Sequence, residues 1–222
     1  PERFFDSLRS IYENAESPEK LYVLATIDSN DTTMTNDEVI DRIKQFPNIQ
    51  VIAGDSHSKI HAINRDMELI PELFPEAADW DIVVVMSDDM QFCIRGFDEY
   101  IRVEMQTAFP DTDGYLHFWE KDSHTALNVM TIKGRKYYER FGFLYHPSYK
   151  SLFCDNEQMA VAKALGKYKF IHLEIFKHLN PAYGYIPKDD LFIEQQEVGY
   201  TTDQQTFNER QAKNFEIERW LK

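Results

Sequence analysis

Three observations predict an α/β fold whose central sheet is mostly parallel and covered on both faces. Short apolar runs rich in β-branched residues alternate with segments whose apolar residues recur at helical spacing. Each run ends in Asp, Ser or Gly, the chemistry of a turn. The most strand-like run, 82–86 (IVVVM), is apolar throughout, as a strand buried on both faces must be. At 222 residues the chain is the size of one domain and can bury a core without disulfides or a structural metal. No Gly/Ser-rich or Pro-rich linker divides it, so 1–222 reads as a single domain.

Taken in order, Phe4, Phe5, Leu8, Ile11 and Tyr12 mark a first helix that ends at Ser17-Pro18. Residues 21–27 (LYVLATI) read as a strand closed by Asp28-Ser29-Asn30-Asp31. Val39, Ile40 and Ile43 make a short helix ended by Pro47, and 49–53 is a second strand before Gly54-Asp55-Ser56. Ile60, Ile63, Met67 and Ile70 predict a third helix stopped by Pro71. Strand 82–86 runs into Ser87-Asp88-Asp89, and Phe97, Tyr100, Ile101, Met105 and Ala108 form the next helix. Beyond Asp113-Gly114 the pattern loosens: 115–119 and 127–132 read as strands, a helix begins near Asp155, and 168–175 is a last strand. The polar tail from 203 to 221 is expected to be helical.

Lys and Arg number 24 against 38 Asp and Glu, a formal charge of −14. A field of that sign repels phosphate backbones and speaks against sequence-independent nucleic-acid binding. No apolar run approaches the ~20 residues of a membrane span, and no basic amphipathic helix suits a membrane surface. Cys93 and Cys154 are too few for a disulfide framework and fit a reducing compartment. With no signal peptide in view, the expected location is the cytoplasm. The sequence opens on Pro1-Glu2-Arg3 without an initiator Met, and a removed N-terminal piece is the expectation.

Ligands of open α/β sheets sit beyond the carboxyl ends of the strands. Asp28 with Asp31, Asp55 with Ser56, and Asp88 with Asp89 stand at such exits. Adjacent carboxylates after 82–86 repel unless neutralised, and hard oxygen ligands there suit Mg²⁺ or Mn²⁺ holding a diphosphate. The plainer alternative is a solvated Asp-rich turn. Asp155-Asn156-Glu157 opens an amphipathic helix, where Asp155 suits an N-cap with Gln158 at capping-box-like spacing. His61 reads as solvent-facing, and His124, Cys93 and Cys154 have no partner at nucleophile–base spacing. The lack of a GxGxxG or Walker-type loop argues against a dinucleotide oxidoreductase or a P-loop NTPase.

IVVVM followed by SDDM resembles the DXD-type metal motif of glycosyltransferases with the GT-A fold, in the manner of family 2. PERFFDSLRSI is similar to the segment just after that family's first strand, and LYVLATIDSND to its second strand with a nucleoside-contacting Asp. GDSHSKIHAINRDM resembles the stretch around a basic residue and an Asn that precedes the metal strand. FCDNEQMAVA resembles the acidic motif of the catalytic base, and KHLNPAYG the place of a late metal-ligating His. The likeness spans nearly the whole chain and rests on order and spacing.

The resemblance implies a Rossmann-related, three-layer GT-A-like fold, with a nucleotide-binding half over 1–95, an acceptor-binding half over 96–200 and a helical tail over 201–222. It implies metal-dependent transfer of a sugar, with inversion, from a nucleotide-diphosphate donor to a hydroxyl of a glycan or other acceptor. Asp89 and His178 would then hold Mn²⁺ or Mg²⁺, with Asp88 nearer the ribose or reaching the metal through water. Imidazole tips the choice toward Mn²⁺. Asp28, Asp31, Lys59 and Asn64 would contact the donor, and Asp155, with Glu157 as alternate, would be the general base. Tyr115, Trp119 and Asp122 lie where donor-sugar and acceptor contacts fall in that family. Two departures stand out: the family's first, central strand would lie just before Pro1, and the motif reads Ser-Asp-Asp instead of Asp-X-Asp. Nucleotidyl transfer on a related fold and a non-catalytic nucleotide or glycan binder are the alternatives. The first usually needs a Gly-rich basic loop that is not visible here.

Overall fold

Helix α1 (Glu2–Asn14) leads into strand β1 (Val23–Asp28), and helix α2 (Asp37–Ile43) carries the chain to β2 (Ile49–Gly54), which pairs parallel with β1 from Val23↔Ile49 to Asp28↔Gly54. The computed structural model describes residues 1–124, 126–188, 192–193 and 199–221. Phe5 and Leu8 of α1 bury against Ile27, Val39, Ile43 and Ile49, the helical and strand periodicities meeting in one core. Asn36 caps α2 by accepting from the Val39 N–H, and Ser58 caps α3 (Lys59–Met67) by accepting from the His61 N–H. Helix α3 ends at Met67, earlier than its apolar spacing predicts. Pro71 falls in the first turn of a separate short helix, α4 (Ile70–Leu73), where the missing N–H removes no bond.

Strand β3 (Ile82–Val85) is followed by β4 (Met90–Phe92), α5 (Phe97–Ala108), β5 (Tyr115–Phe118), β6 (Thr131–Gly134), α6 (Arg135–Phe141), α7 (Cys154–Ala164), β7 (Tyr168–Ile171), β8 (Phe176–His178) and α8 (Gln204–Ala212). The protein is thus α/β, but its larger sheet is mixed where a mostly parallel one was expected. In the order β3-β6-β5-β7, β6 runs antiparallel to both neighbours and only β5 and β7 are parallel. The reason is the link from β5 to β6, which has no helix among the described residues. A parallel return needs such a crossover, so the chain comes back antiparallel. The expected strand at 127–132 starts only at Thr131, and 168–175 divides into β7 and β8. The expected helical tail is α8 followed by a 3₁₀ segment at Asn214–Trp220. Among the described residues no helix is long and apolar enough to cross a membrane.

Strand β4 pairs on one edge with β8. Its other edge is satisfied by a polar stripe on α1. Ser7 Oγ donates to the Met90 carbonyl at 2.6 Å, the Phe92 N–H donates to Ser10 Oγ at 3.0 Å, and Asn14 Nδ2 donates to the Phe92 carbonyl at 3.1 Å. Helix spacing puts these side chains in a row that substitutes for a neighbouring strand, which explains two buried serines on an amphipathic helix.

Asp98, in the first turn of α5, fixes the end of α1 from below. Its buried carboxylate accepts from the Glu16 N–H at 2.7 Å and the Ser17 N–H at 3.0 Å, and also pairs with Arg102. Burial pushes this carboxyl up, but the two N–H donors and Arg102 outweigh it and hold the pKa below the usual 3.8. Asp98→Ala should lower stability by about 3 kcal/mol at pH 7, because two partly buried N–H groups and a guanidinium lose their acceptor. A depressed folded-state pKa contributes stability above the unfolded value that is lost as the pH falls through the folded one. Urea unfolding at pH 7 and at pH 3 should therefore show the gap between wild type and variant narrowing in acid.

Candidate functional site

Strand β3 delivers the chain to Ser87-Asp88-Asp89, which turns into β4; the Met90 N–H donates to the Ser87 carbonyl at 3.1 Å. Pairing of β4 with β8 sets Met90 opposite His178 and brings His178 Nε2 to 3.3 Å from Asp89 Oδ2. His178 is thus a buried residue at the end of a strand, beyond the 168–175 run that the sequence marks. Asp89 also accepts from Ser87 Oγ, and its carbonyl takes the Leu179 N–H at 2.7 Å. Burial would raise the Asp89 carboxyl, but His178, Ser87 and Lys59 outweigh it and hold the pKa down at about 2.

The two adjacent carboxylates avoid each other by diverging. Asp88 turns to α1 and accepts from Arg3 Nε at 2.6 Å. Asp88, which the resemblance places near the ribose or the metal, is thus paired with Arg3 in a half-exposed ion pair.

Asp155 lies in the first turn of α7. It is not the N-cap: Phe153 holds that position at φ 62°, and no side chain caps the helix. Asp155 Oδ1 is instead buried without a hydrogen-bond partner in the described structure. Burial pushes this carboxyl up to about 6, against the pull of Lys59, His178, Tyr145 and Lys133. Lys59 opens α3 with its side chain exposed, and its charge acts on both Asp89 and Asp155. Asp89 and His178 are therefore in direct contact, and Lys59 of α3 acts electrostatically on Asp89 and Asp155 while His178 acts on both carboxylates.

Behind them lies a buried polar layer that sequence reasoning missed. Lys133 on β6 donates to the Leu144 carbonyl at 2.5 Å, and burial lowers its amine to about 7. Gln158 of α7 donates to the same carbonyl at 2.9 Å. Asn64, expected at the donor, brackets this segment: it donates to the Tyr145 carbonyl at 2.7 Å and accepts the Leu144 and Tyr145 N–H groups at 2.9 and 3.2 Å. Lys133 sits in a four-residue strand buried at every position, a pattern that carries no periodic signal.

Glu157 faces away from Asp155. Its buried carboxylate takes two bonds from Arg210 of α8, both 2.7 Å, and one from Tyr149 Oη at 2.6 Å. Two of these bonds tie α8 to α7, and they set Glu157, the alternate base of the resemblance, in an ion pair with Arg210. Of the remaining expected residues, Asp28 is exposed at the end of β1 and accepts from Ser56 Oγ at 2.7 Å, while Ser29 of the same exit pairs with Asp55. Asp31 closes a local turn by accepting from the Thr33 N–H and hydroxyl at 2.9 and 2.7 Å. The Trp119 ring lies 5.7 Å from His124 and 5.6 Å from His172, and Asp122 accepts from Tyr185 Oη at 3.3 Å. Tyr115 is fully buried, and its electrostatic neighbours include Asp155.

Among the described residues no group of three or more His, Cys, Asp or Glu side chains is disposed to hold one metal ion. Asp89 and His178 offer a carboxylate and an imidazole, a donor set that suits Mn²⁺ or Mg²⁺ when water and phosphate oxygens complete the shell. Compared with known proteins, the chain matches no family model and no curated protein.

Removing Glu157 would leave Arg210 buried without its main partner. Glu157→Ala should cost about 3 kcal/mol in urea unfolding, as broken buried pairs do. A Glu157→Gln variant, folded under mild conditions, should keep any ligand binding of the wild type.

Proposed function

We propose that this chain is a metal-dependent glycosyltransferase of GT-A-like fold, moving a sugar from a nucleotide-diphosphate donor to an acceptor hydroxyl with inversion. The observation that carries this reading is the Asp89–His178 contact beyond β3, with Lys59 and Asp155 from the first turns of α3 and α7 coupled to it electrostatically. In this reading Asp28 contacts the nucleoside, and Lys59 meets the diphosphate. Asp89 and His178 would hold Mn²⁺ or Mg²⁺, which when bound would supply a Lewis acid for the leaving diphosphate.

Asp155 would take the proton from the acceptor hydroxyl as the anomeric carbon is attacked from the face opposite the leaving group. A carboxylate with one unpartnered oxygen, its pKa raised by burial to about 6, is suited to accept that proton. Trp119 would stack on the C–H face of a sugar, with Asp122 beside it to take a hydroxyl. The orphaned Asp155 oxygen favours catalysis over a binding role, because a buried acceptor without a donor is costly unless something uses it.

Thermal unfolding with a panel of nucleoside diphosphates, each with Mn²⁺, Mg²⁺ or chelator, tests the donor site. At about 100 times its dissociation constant a ligand adds ~2.7 kcal/mol, a rise of roughly 5–10 °C for a domain of this size. One nucleotide should give such a rise only with metal, and Asp89→Asn should abolish it. Asp155→Asn should bind that nucleotide as wild type does and lose sugar transfer by a factor of about 10² to 10⁴. No metal-linked shift with any nucleotide would overturn the reading.

A further inference from the structure

The turn that follows β2 is pinned from two sides at the carboxyl ends of β1 and β2. Ser56 Oγ donates to Asp28 at 2.7 Å, while Ser29 of the β1 exit donates its N–H to the Gly54 carbonyl at 3.2 Å and its hydroxyl to Asp55. From α3, Arg65 Nη1 donates to the Asp55 carbonyl at 2.7 Å. Its guanidinium lies close against Gly54, where an added Cβ would come within 2.6 Å of it, an approach that a residue without a side chain permits.

His57 stands out from this pinned turn. It is exposed, and its ring stacks on that of His61 with centroids 3.8 Å apart and planes 27° from parallel. His61, expected to face solvent, is half buried, with its Nδ1 closed off from water. The cap of α3 sets its place, since its N–H donates to Ser58 Oγ at 3.1 Å. One face of the His57 ring is thus covered by a ring that the helix holds, and the other is turned to solvent. A side chain held flat in this way has already given up rotamer freedom that a stacking contact would otherwise cost.

The charges nearby select which part of a ligand can lie there. Asp28 and Asp55 are exposed at these exits and repel phosphate. Lys59, two residues beyond His57, is exposed as well, and its charge acts on Asp89. We infer that His57, backed by His61, is the platform on which the nucleobase of the donor stacks, with the diphosphate carried past Lys59 toward Asp89 and His178. The inference rests on the sugar-transfer reading for the ligand's being a nucleotide; what it adds is the residue that holds the base. Every base has a π-face, so the stack alone tolerates all of them. The Asp28 carboxylate accepts and cannot donate, so beside the platform it favours a base that offers it an N–H.

Calorimetric titration of uridine, cytidine, adenosine and guanosine diphosphates with Mn²⁺ tests this, with inorganic pyrophosphate and Mn²⁺ as the ligand that lacks a base. His57→Ala should weaken binding of the nucleotide that wild type prefers by a factor of about 5 to 100, the effect of taking one aromatic ring from under a base. Pyrophosphate binding should stay unchanged. His57→Phe should recover most of the loss, because it keeps the flat ring without the imidazole nitrogens. His61→Ala should cost less than His57→Ala, since it removes only the backing. Nucleotide binding that survives His57→Ala intact overturns the inference and leaves the sugar-transfer reading standing. So does an equal loss for pyrophosphate, which would make His57 a phosphate contact, or a His57→Phe variant as weak as His57→Ala. A wild type that binds no nucleotide overturns both.

Discussion

The pairing of β4 with β8 is the interaction on which the candidate site depends. Asp89 lies at the exit of β3 and His178 at the end of β8, and only the Met90↔His178 register sets them 3.3 Å apart. Strand β4 is three residues long, too short to hold that register through one partner. The serines of α1 supply the second edge, so an ordinary surface helix becomes part of the site's scaffold. A change at Ser10 would reach Asp89 through β4 although the two side chains share no hydrogen bond.

A second constraint couples the remaining groups. The segment joining α6 to α7 has no strand or helix at residues 143–145, so its buried backbone groups must be satisfied by side chains. Asn64 of α3 takes two N–H groups and a carbonyl there, while Lys133 and Gln158 share the Leu144 carbonyl. Lys59 opens the same helix as Asn64, and Asp155 lies one turn from Gln158. Their separation is therefore set by one irregular segment held from both sides. Burying Lys133 is expensive on its own. The Leu144 carbonyl and the attraction of Asp155 offset part of that cost.

The parts of this arrangement legible in the sequence are those written in continuous apolar runs. Runs 21–27, 49–53 and 82–86 became β1, β2 and β3 within two residues, and the acidic residues after them stand at the strand exits. What could not be read was decided by distant partners. Asp155 looks like an N-cap because Asp favours that position, yet Phe153 takes the cap with a positive φ that periodicity does not encode. Glu157 looks like a spare base until α8 brings Arg210 to it, and Asn64 looks ligand-facing until residues 144 and 145 fold over it. Strand direction was misjudged for a different reason: alternating helices and strands suggest parallel pairing, but the link from β5 to β6 has no helix among the described residues, so β6 returns antiparallel.

The charge balance at the strand exits bears on how a diphosphate could be held at all. With a formal charge of −14, the chain repels phosphate unless local cations prevail. Arg3 is committed to Asp88, and Arg65 pairs with Asp66 and donates to the Asp55 carbonyl. Lys59 divides its influence between Asp89 and Asp155, so the protein alone leaves little net positive field there. Under the proposed reading a divalent cation reverses that balance, and the Asp88–Arg3 pair gains a purpose. With Asp88 withdrawn, a cation meets one carboxylate and one imidazole, and keeps more of its charge for phosphate oxygens than two carboxylates would leave it. Metal and nucleotide would then each strengthen the binding of the other, as thermodynamic linkage requires of two ligands whose charges meet in one site.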